Sequence, residues 1–479
     1  MRHKFSQTTS SSASGKIQTP WIMFASFCLG RPMNAPPLRH AGQYRLFTRS
    51  LRLSSLAHNF ALLITGIALV SLGFQIVHCQ VQSSREQRLM VPLDYKSPNY
   101  GRGSLYFEFG APFDRSKPTV FIITDAQQFY VREGQISALQ QSLFGNAFNV
   151  VGIVGRGSSA DFIHAALNAD GQPEWLRAWR IFKSEQWIED IETVRRRVVG
   201  NSGKILLYGR SGGAFLIHQY LAKYGAHVQR AFTQAPLNPF IVDELRLNPD
   251  HFWEEVGAQD PGLQLTLRTV LKRRPSERAA ILMTLQRQNF FVPLDRLPAE
   301  RAKLIHALDV RDEKFYDEAR KQYQVDLTQR TTDSPEGIAV RVRVFEFVYP
   351  SGTRRRLGEE AVYPDLENQY NIAKPLIMLA DAGKIPSPTF NFRALHYIET
   401  EVFILAGRWD HTADYRSSIA LAANYPRNYL FIADDNHTFT GLDKSGHNTK
   451  MLRSFLEGGL SSASLRDVLT AAESHRWRE

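Results

Sequence analysis

From about residue 88 the chain alternates between two kinds of apolar pattern. Residues 103–109 (GSLYFEF) alternate apolar and polar positions and predict a strand. The runs 119–123 (TVFII), 148–154 (FNVVGIV) and 205–208 (ILLY) are short and almost wholly apolar, as in strands buried on both faces. Residues 229–233, 401–406 (EVFILA) and 428–433 (NYLFIA) add three more strands. Between 154 and 205 the period changes. Trp187, Ile188, Ile191, Val194 and Val198 fall at helical spacing and predict a helix over 185–199. A second helix is predicted over 213–224 (GAFLIHQYLAKY). Strands alternating with helices predict an α/β fold, a mainly parallel sheet with right-handed crossovers.

Residues 239–395 interrupt this rhythm. They carry charged helical patterns at 253–273 and 298–323, plus one alternating run at 339–348 (AVRVRVFEFV). Core-like strands then resume. The order predicts a core in two parts, 88–238 and 396–479, with a mostly helical cap inserted between them.

Chemistry concentrates where the core strands end. Gly209-Arg210-Ser211-Gly212-Gly213 follows one strand and opens a helix, which is the setting of a G-x-S-x-G nucleophile elbow. A serine nucleophile needs a base, and the base needs an acid to orient it. Asp410 lies just past strand 401–406 and His437 just past strand 428–433, so both are predicted at the sheet edge that carries Ser211. His447 and His411 are alternative bases, and Asp414 and Asp434 alternative acids. An oxyanion hole needs two backbone N–H groups. Gly212 is the candidate for one, and Ala126, in the loop after strand 119–123, for the other.

Composition changes the picture in one place. The chain has 479 residues and a formal charge of +11. Residues 1–84 hold eight of the 58 Lys/Arg and no acid; the remaining 50 face 47 Asp/Glu, a net of +3. A nucleic-acid surface on the folded part is therefore not indicated. Both cysteines, Cys28 and Cys79, lie in the same segment, so the folded part has no disulfide, thiolate metal site or cysteine nucleophile. Residues 60–77 (FALLITGIALVSLGFQIV) carry no charge and follow Arg45, Arg49 and Arg52. That layout predicts a signal peptide or short membrane anchor, and so a secreted, periplasmic or tethered protein touching membrane through this segment alone; an organelle transit peptide is the alternative, since the stretch is rich in Arg and Ser and lacks acids.

At these residues the chain resembles the prolyl aminopeptidase and tripeptidyl aminopeptidase family of α/β-hydrolase serine peptidases. The resemblance starts at Val91-Pro92-Leu93-Asp94-Tyr95 and continues through GRSGG, FILAGRWDHTAD and DDNHTF. It implies the α/β-hydrolase fold, with Ser211, Asp410 and His437 as a triad in that fold's order. It also implies release of N-terminal residues from small peptides through an acyl-enzyme, with no metal or organic cofactor. A substrate ammonium is then expected to meet a cap carboxylate, and Glu346 is the candidate. An esterase acting on small acyl substrates, or a catalytically weak binding protein on the same fold, is the alternative. Two departures stand out. Thr124 to Gln128 replaces the family's H-G-G-P-G loop. Val154-Gly155-Arg156-Gly157 keeps only part of D-x-R-G-x-G-x-S, and Arg156 is read there as a loop-fixing hydrogen-bond donor.

Overall fold

The computed structural model describes residues 85–478, apart from 129, 249, 251 and 353–361. The expectations for residues 1–84, including the 60–77 run and both cysteines, lie outside the described residues. Among the described residues no helix is long and apolar enough to cross a membrane.

Eight strands form one sheet: β1 (Glu86–Pro92), β2 (Arg102–Phe109), β3 (Thr119–Ile123), β4 (Asn149–Val154), β5 (Ile205–Arg210), β6 (Val228–Gln234), β7 (Glu401–Gly407) and β8 (Asn428–Ala433). Their order is β1-β2-β4-β3-β5-β6-β7-β8. Strand β2 runs antiparallel to both neighbours, and every other pair is parallel. This order, with β2 reversed, is the α/β-hydrolase fold.

The continuous apolar runs follow from two-sided burial. Phe121, Ile123, Ile205 and Leu207 join one apolar cluster. Their neighbours Val120, Ile122, Leu206 and Tyr208 join a second cluster on the other face. Helices α1 (Trp175–Phe182), α2 (Ser184–Val199) and α3 (Ser211–Tyr224) supply Ile181, Trp187 and Leu216 to the first cluster. Helix α2 stops at Gly200, whose φ of +80° suits glycine.

The insertion lies between β6 and β7. It contains α4 (Phe252–Gln259), α5 (Leu263–Arg273), α6 (Arg278–Phe291), α7 (Leu297–Asp309), α8 (Glu313–Gln322), α9 (Val325–Asp333), α10 (Ile338–Val348) and α11 (Pro364–Asp381). The predicted helical stretches each break in two. Asp260-Pro261-Gly262 separates α4 from α5, and Arg311, at a φ of +59°, lies between α7 and α8. Helices α4 to α9 have their own apolar cluster, with Phe252, Leu267, Ile281, Leu304 and Val325. By contrast, Val342 and Phe345 of α10 and Leu376 of α11 belong to the core beside the sheet.

The alternating run 339–348 is a helix, not a strand. Every residue of α10 except Arg341 is buried. A helix surrounded by protein shows no polar stripe, and the two arginines spaced by valines imitate a period of two.

After β7 and β8 come α12 (Tyr415–Ala422), α13 (His447–Gly458) and α14 (Ala463–Ala471). Met451, Leu452 and Phe455 of α13 cover the second face of the sheet.

Arg156 fixes the corner where β1, β4 and α2 meet. It is fully buried and forks onto Asp190, with Nε to Oδ2 and Nη2 to Oδ1 both at 2.7 Å. Its Nη1 also donates to the carbonyls of Leu93 (3.1 Å) and Ile181 (2.7 Å). The loop-fixing role read from the sequence is the one observed. Arg156→Leu leaves the Asp190 charge buried and unpaired, which is expected to cost about 3–5 kcal/mol. Arg156→Leu/Asp190→Leu should recover most of that loss. Urea midpoints of the two variants at pH 7 check this; equal losses would contradict it.

Candidate active site

The site begins where β5 turns into α3. Arg210 is the last strand residue, and Ser211 is the first of the helix. No loop separates them, so one residue must reverse the chain direction. Ser211 does so at a φ of +50°, in the left-handed region that side-chain-bearing residues rarely occupy. Its neighbours must be small. A Cβ on Gly213 would stand 2.4 Å from the carbonyl oxygen of Ile123, and one on Gly209 2.8 Å from Ile217 Cδ1. The elbow is tied down by Arg210, whose Nη2 donates to the Thr438 carbonyl at 2.9 Å.

Asp410 and His437 sit just past β7 and β8, as expected. Arg408 N–H donates to the Ala433 carbonyl (2.8 Å) and Trp409 N–H to that of Asp435 (3.0 Å), so the two loops are stitched together. Asp410 is buried, and its Oδ1 accepts from the N–H groups of Thr412 and Ala413, both at 2.8 Å. Its Oδ2 lies 2.7 Å from His437 Nδ1. A carboxylate on Nδ1 fixes the tautomer and leaves Nε2 for proton exchange. The His437 loop is held by Asp435, which accepts from Gly441 (2.8 Å) and Leu442 (3.0 Å). Burial raises the Asp435 pKa, and those N–H bonds oppose the rise.

Ser211 and His437 line the same cavity, whose volume is about 190 Å³. The cap supplies apolar wall through Phe290, Val340, Val344, Phe347 and Ile372. The ring of Phe290 meets His437 edge-on at 5.9 Å. The alternative residues lie elsewhere. Asp414 caps α12 and pairs with Arg416. Asp434 accepts from the Trp409 indole. His447 opens α13 beside His475. His411 is buried within electrostatic reach of Asp250.

The turn after β3 reaches the same cavity through Gln127 and Gln128. Three of its amides are engaged. Asp125 N–H meets Gln128 Oε1 (3.3 Å), Gln127 N–H meets Asp125 Oδ1 (3.0 Å), and Gln128 N–H meets the Asp125 carbonyl (3.1 Å). Ala126 N–H has no acceptor among the described residues, so the turn leaves it available. In place of a family-like loop glycine stands Asp125, buried against the elbow: a Cβ on Gly212 would be 1.8 Å from its Oδ2.

Glu346 is not in the cavity. As part of α10 it is 3% exposed, with Oε2 paired to Arg343 (2.8 Å) and Oε1 accepting from Ser184 N–H (2.7 Å) at the start of α2. Both oxygens serve the fold, which removes Glu346 as a substrate-binding group.

Sequence reasoning missed a different carboxylate. Asp365, in the first turn of α11, is 2% exposed. It lines a side chamber of about 40 Å³ that shares Leu237, Phe347, Gln369 and Thr412 with the main cavity. Neither oxygen finds a hydrogen bond of normal geometry among the described residues. Burial, and then the nearby Asp250 carboxylate, push its pKa up to about 7; the amides of Gln369 and Gln286 and the His437 ring oppose this. An acid in a helix's first turn is commonplace, so nothing in the sequence marks it.

No family model and no curated protein matches the chain. Among solved structures it is similar to the proline iminopeptidase of Mycobacterium smegmatis, at 12% identity over 80% of this chain and 100% of that one, with a TM-score of 0.41. It is also similar to a bromoperoxidase from Bacillus anthracis (14%, 78% and 100%, TM-score 0.40) and an esterase from Exiguobacterium antarcticum (12%, 78% and 100%, TM-score 0.40). At these scores the fold assignment rests on the strand order and not on the likenesses.

The Asp365 shift has a sign that stability measurements read. The folded chain holds this proton up to about pH 7, whereas an unfolded Asp releases it near its ordinary value of 3.8. Stability therefore falls as pH rises through that window, and the penalty is complete above pH 7. Asp365→Asn removes it. Its gain in unfolding free energy over the parent is expected to grow by on the order of 2 kcal/mol between pH 5 and pH 8. Denaturant titrations at the two pH values check this; a gain that does not change with pH would contradict it.

Proposed function

We propose that the chain is a serine hydrolase acting through an acyl-enzyme. The observation that carries this reading is Ser211 at a strained strand–helix turn, sharing a cavity with a His437 already paired to a buried Asp410. In this reading Ser211 Oγ attacks the acyl carbon while His437 Nε2 takes its proton. Asp410 holds Nδ1 and stabilises the imidazolium. The N–H groups of Gly212 and Ala126 receive the oxyanion. His437 then returns the proton to the leaving group, and water, activated by the same base, releases the acid.

Within that class we favour an aminopeptidase of the prolyl or tripeptidyl aminopeptidase type. Asp365 supports it: a buried carboxylate that has no Lys or Arg partner among the described residues, in a chamber that shares four lining residues with the reaction cavity, suits a substrate ammonium. The apolar cap wall equally suits an acyl ester, so an esterase is the second reading. We further propose export or anchoring through residues 60–77; N-terminal sequencing of the mature chain tests this.

Ser211→Ala is expected to lower kcat roughly 10⁴-fold or more and to abolish fluorophosphonate labelling while the fold persists. Labelling that survives in the variant would sink the nucleophile assignment. Aminoacyl arylamides and matched acyl esters separate the two substrate readings. If the amine docks at Asp365, Asp365→Asn lowers kcat/KM for the arylamide at least tenfold and spares the ester. The parent's arylamide-to-ester ratio of kcat/KM should also rise through about pH 7, as Asp365 ionises. Equal effects on both substrates favour the esterase.

A further inference from the structure

We infer that Arg343, from the cap, is a positioning residue for the oxyanion hole, so that the hole is complete only with α10 docked on the core. The inference rests on the serine-hydrolase reading above.

The turn after β3 carries a charge where the proposed chemistry least tolerates one. Asp125 is 2% exposed, and its Oδ2 lies so close to Gly212 that no side chain fits there. Gly212 N–H is one of the two proposed oxyanion donors. An uncompensated carboxylate beside it opposes the negative charge that forms on the acyl oxygen, and screening by water is weak in a buried site.

Arg343 supplies the compensation. Its Nε donates to Asp125 Oδ2 and its Nη2 to the Gly212 carbonyl, both at 3.1 Å. One guanidinium thus holds the turn and the elbow together. Its remaining bonds fix its own position: Nη1 donates to Gln219 Oε1 (3.2 Å) and to Glu346 Oε2 (2.8 Å). Glu346 in turn is anchored on the Ser184 N–H. The ring of Phe347 covers the guanidinium at 4.5 Å. These bonds point in several directions within a plane, which a lysine ammonium does not reproduce.

The origin of Arg343 gives the inference its consequence. Asp125, Gly212 and Gln219 belong to the core, whereas Arg343 and Glu346 belong to the insertion between β6 and β7. The core alone holds the Asp125 carboxylate against the elbow with no countercharge from Arg343. Docking of α10 and assembly of a competent oxyanion hole are therefore one event.

The test uses the full chain, with kcat and KM on one aryl ester and thermal melts for each variant. Arg343→Met is expected to lower kcat about 100-fold or more with KM within threefold of the parent. In an Asp125→Asn background the same change is expected to cost less than tenfold, because the charge it leaves exposed is gone. Equal losses in the two backgrounds overturn the inference, as does a folded Arg343→Met with kcat within threefold of the parent. If Arg343→Met does not fold, Arg343→Lys decides. A kcat at least tenfold down with unchanged KM supports positioning, and a kcat within threefold of the parent overturns it. Failure of the parent itself to turn over esters or to label at Ser211 removes the hydrolase reading and this inference with it. Normal parent activity with unaffected Arg343 variants removes only this inference.

Discussion

The left-handed backbone at Ser211 is the constraint on which the rest of the site depends. A residue held at a φ of +50° costs about 1–3 kcal/mol, and the chain must offset that from contacts around the turn. Strand β5 is buried on both faces, and α3 is buried along most of its length, so neither element has room to relax the turn between them. The close approaches at Gly209, Gly212 and Gly213 record the same tightness. What results is a serine projected from the sheet edge, at a helix N-terminus where backbone N–H groups favour negative charge. Asp410 and His437 need no such strain. Their loops are stitched by ordinary backbone bonds, and the parallel strands bring them to the same edge.

Charge inside this protein is handled in three ways, and the differences are informative. Arg156 and Asp190 neutralise each other where β1, β4 and α2 meet, with matching forks and satisfied carbonyls. Such a pair locates a loop and has no chemistry left over. Arg343 faces two carboxylates, Asp125 and Glu346, and one of these touches the elbow. There the ion pair ties the fold to the reaction site. Asp365 is buried, and among the described residues neither of its oxygens completes a hydrogen bond of normal geometry, so its raised pKa is the expected response. A carboxyl in that condition lowers the stability of the fold at neutral pH.

The core was legible in the sequence because two-sided burial makes parallel strands visible. Seven of the eight strands are apolar enough to be found from pattern alone, and Ser211, Asp410 and His437 follow from what stands at their carboxyl ends. Strand β1 was not legible, since Val91 is its one buried residue and an edge strand need show little pattern. In the insertion the pattern misled. Helix α10 is buried nearly all round, so its periodicity vanished and Glu346 was read as belonging to a strand. Arg343 and Asp125 are 218 positions apart. Nothing local marks either as the other's partner, and only the folded arrangement reveals the pair. The absence of glycine at 124–128 was visible at once, but its meaning depends on an arginine from another part of the chain.

That pairing changes how the unusual turn is understood. A glycine-rich turn would expose its amides by having no side chains to interfere. Here the side chains do the same work from the opposite direction. Asp125 and Gln128 draw the N–H groups of Gln127 and Asp125 onto themselves, the Asp125 carbonyl takes that of Gln128, and among the described residues nothing takes that of Ala126. The arrangement needs a carboxylate, and the carboxylate needs a counterion because it lies against Gly212. The counterion comes from α10, through the protein interior, where it also reaches the Gly212 carbonyl. The altered turn and the buried arginine are therefore two halves of one solution, and the cap belongs to the electrostatics of the site as much as to the shape of its cavity.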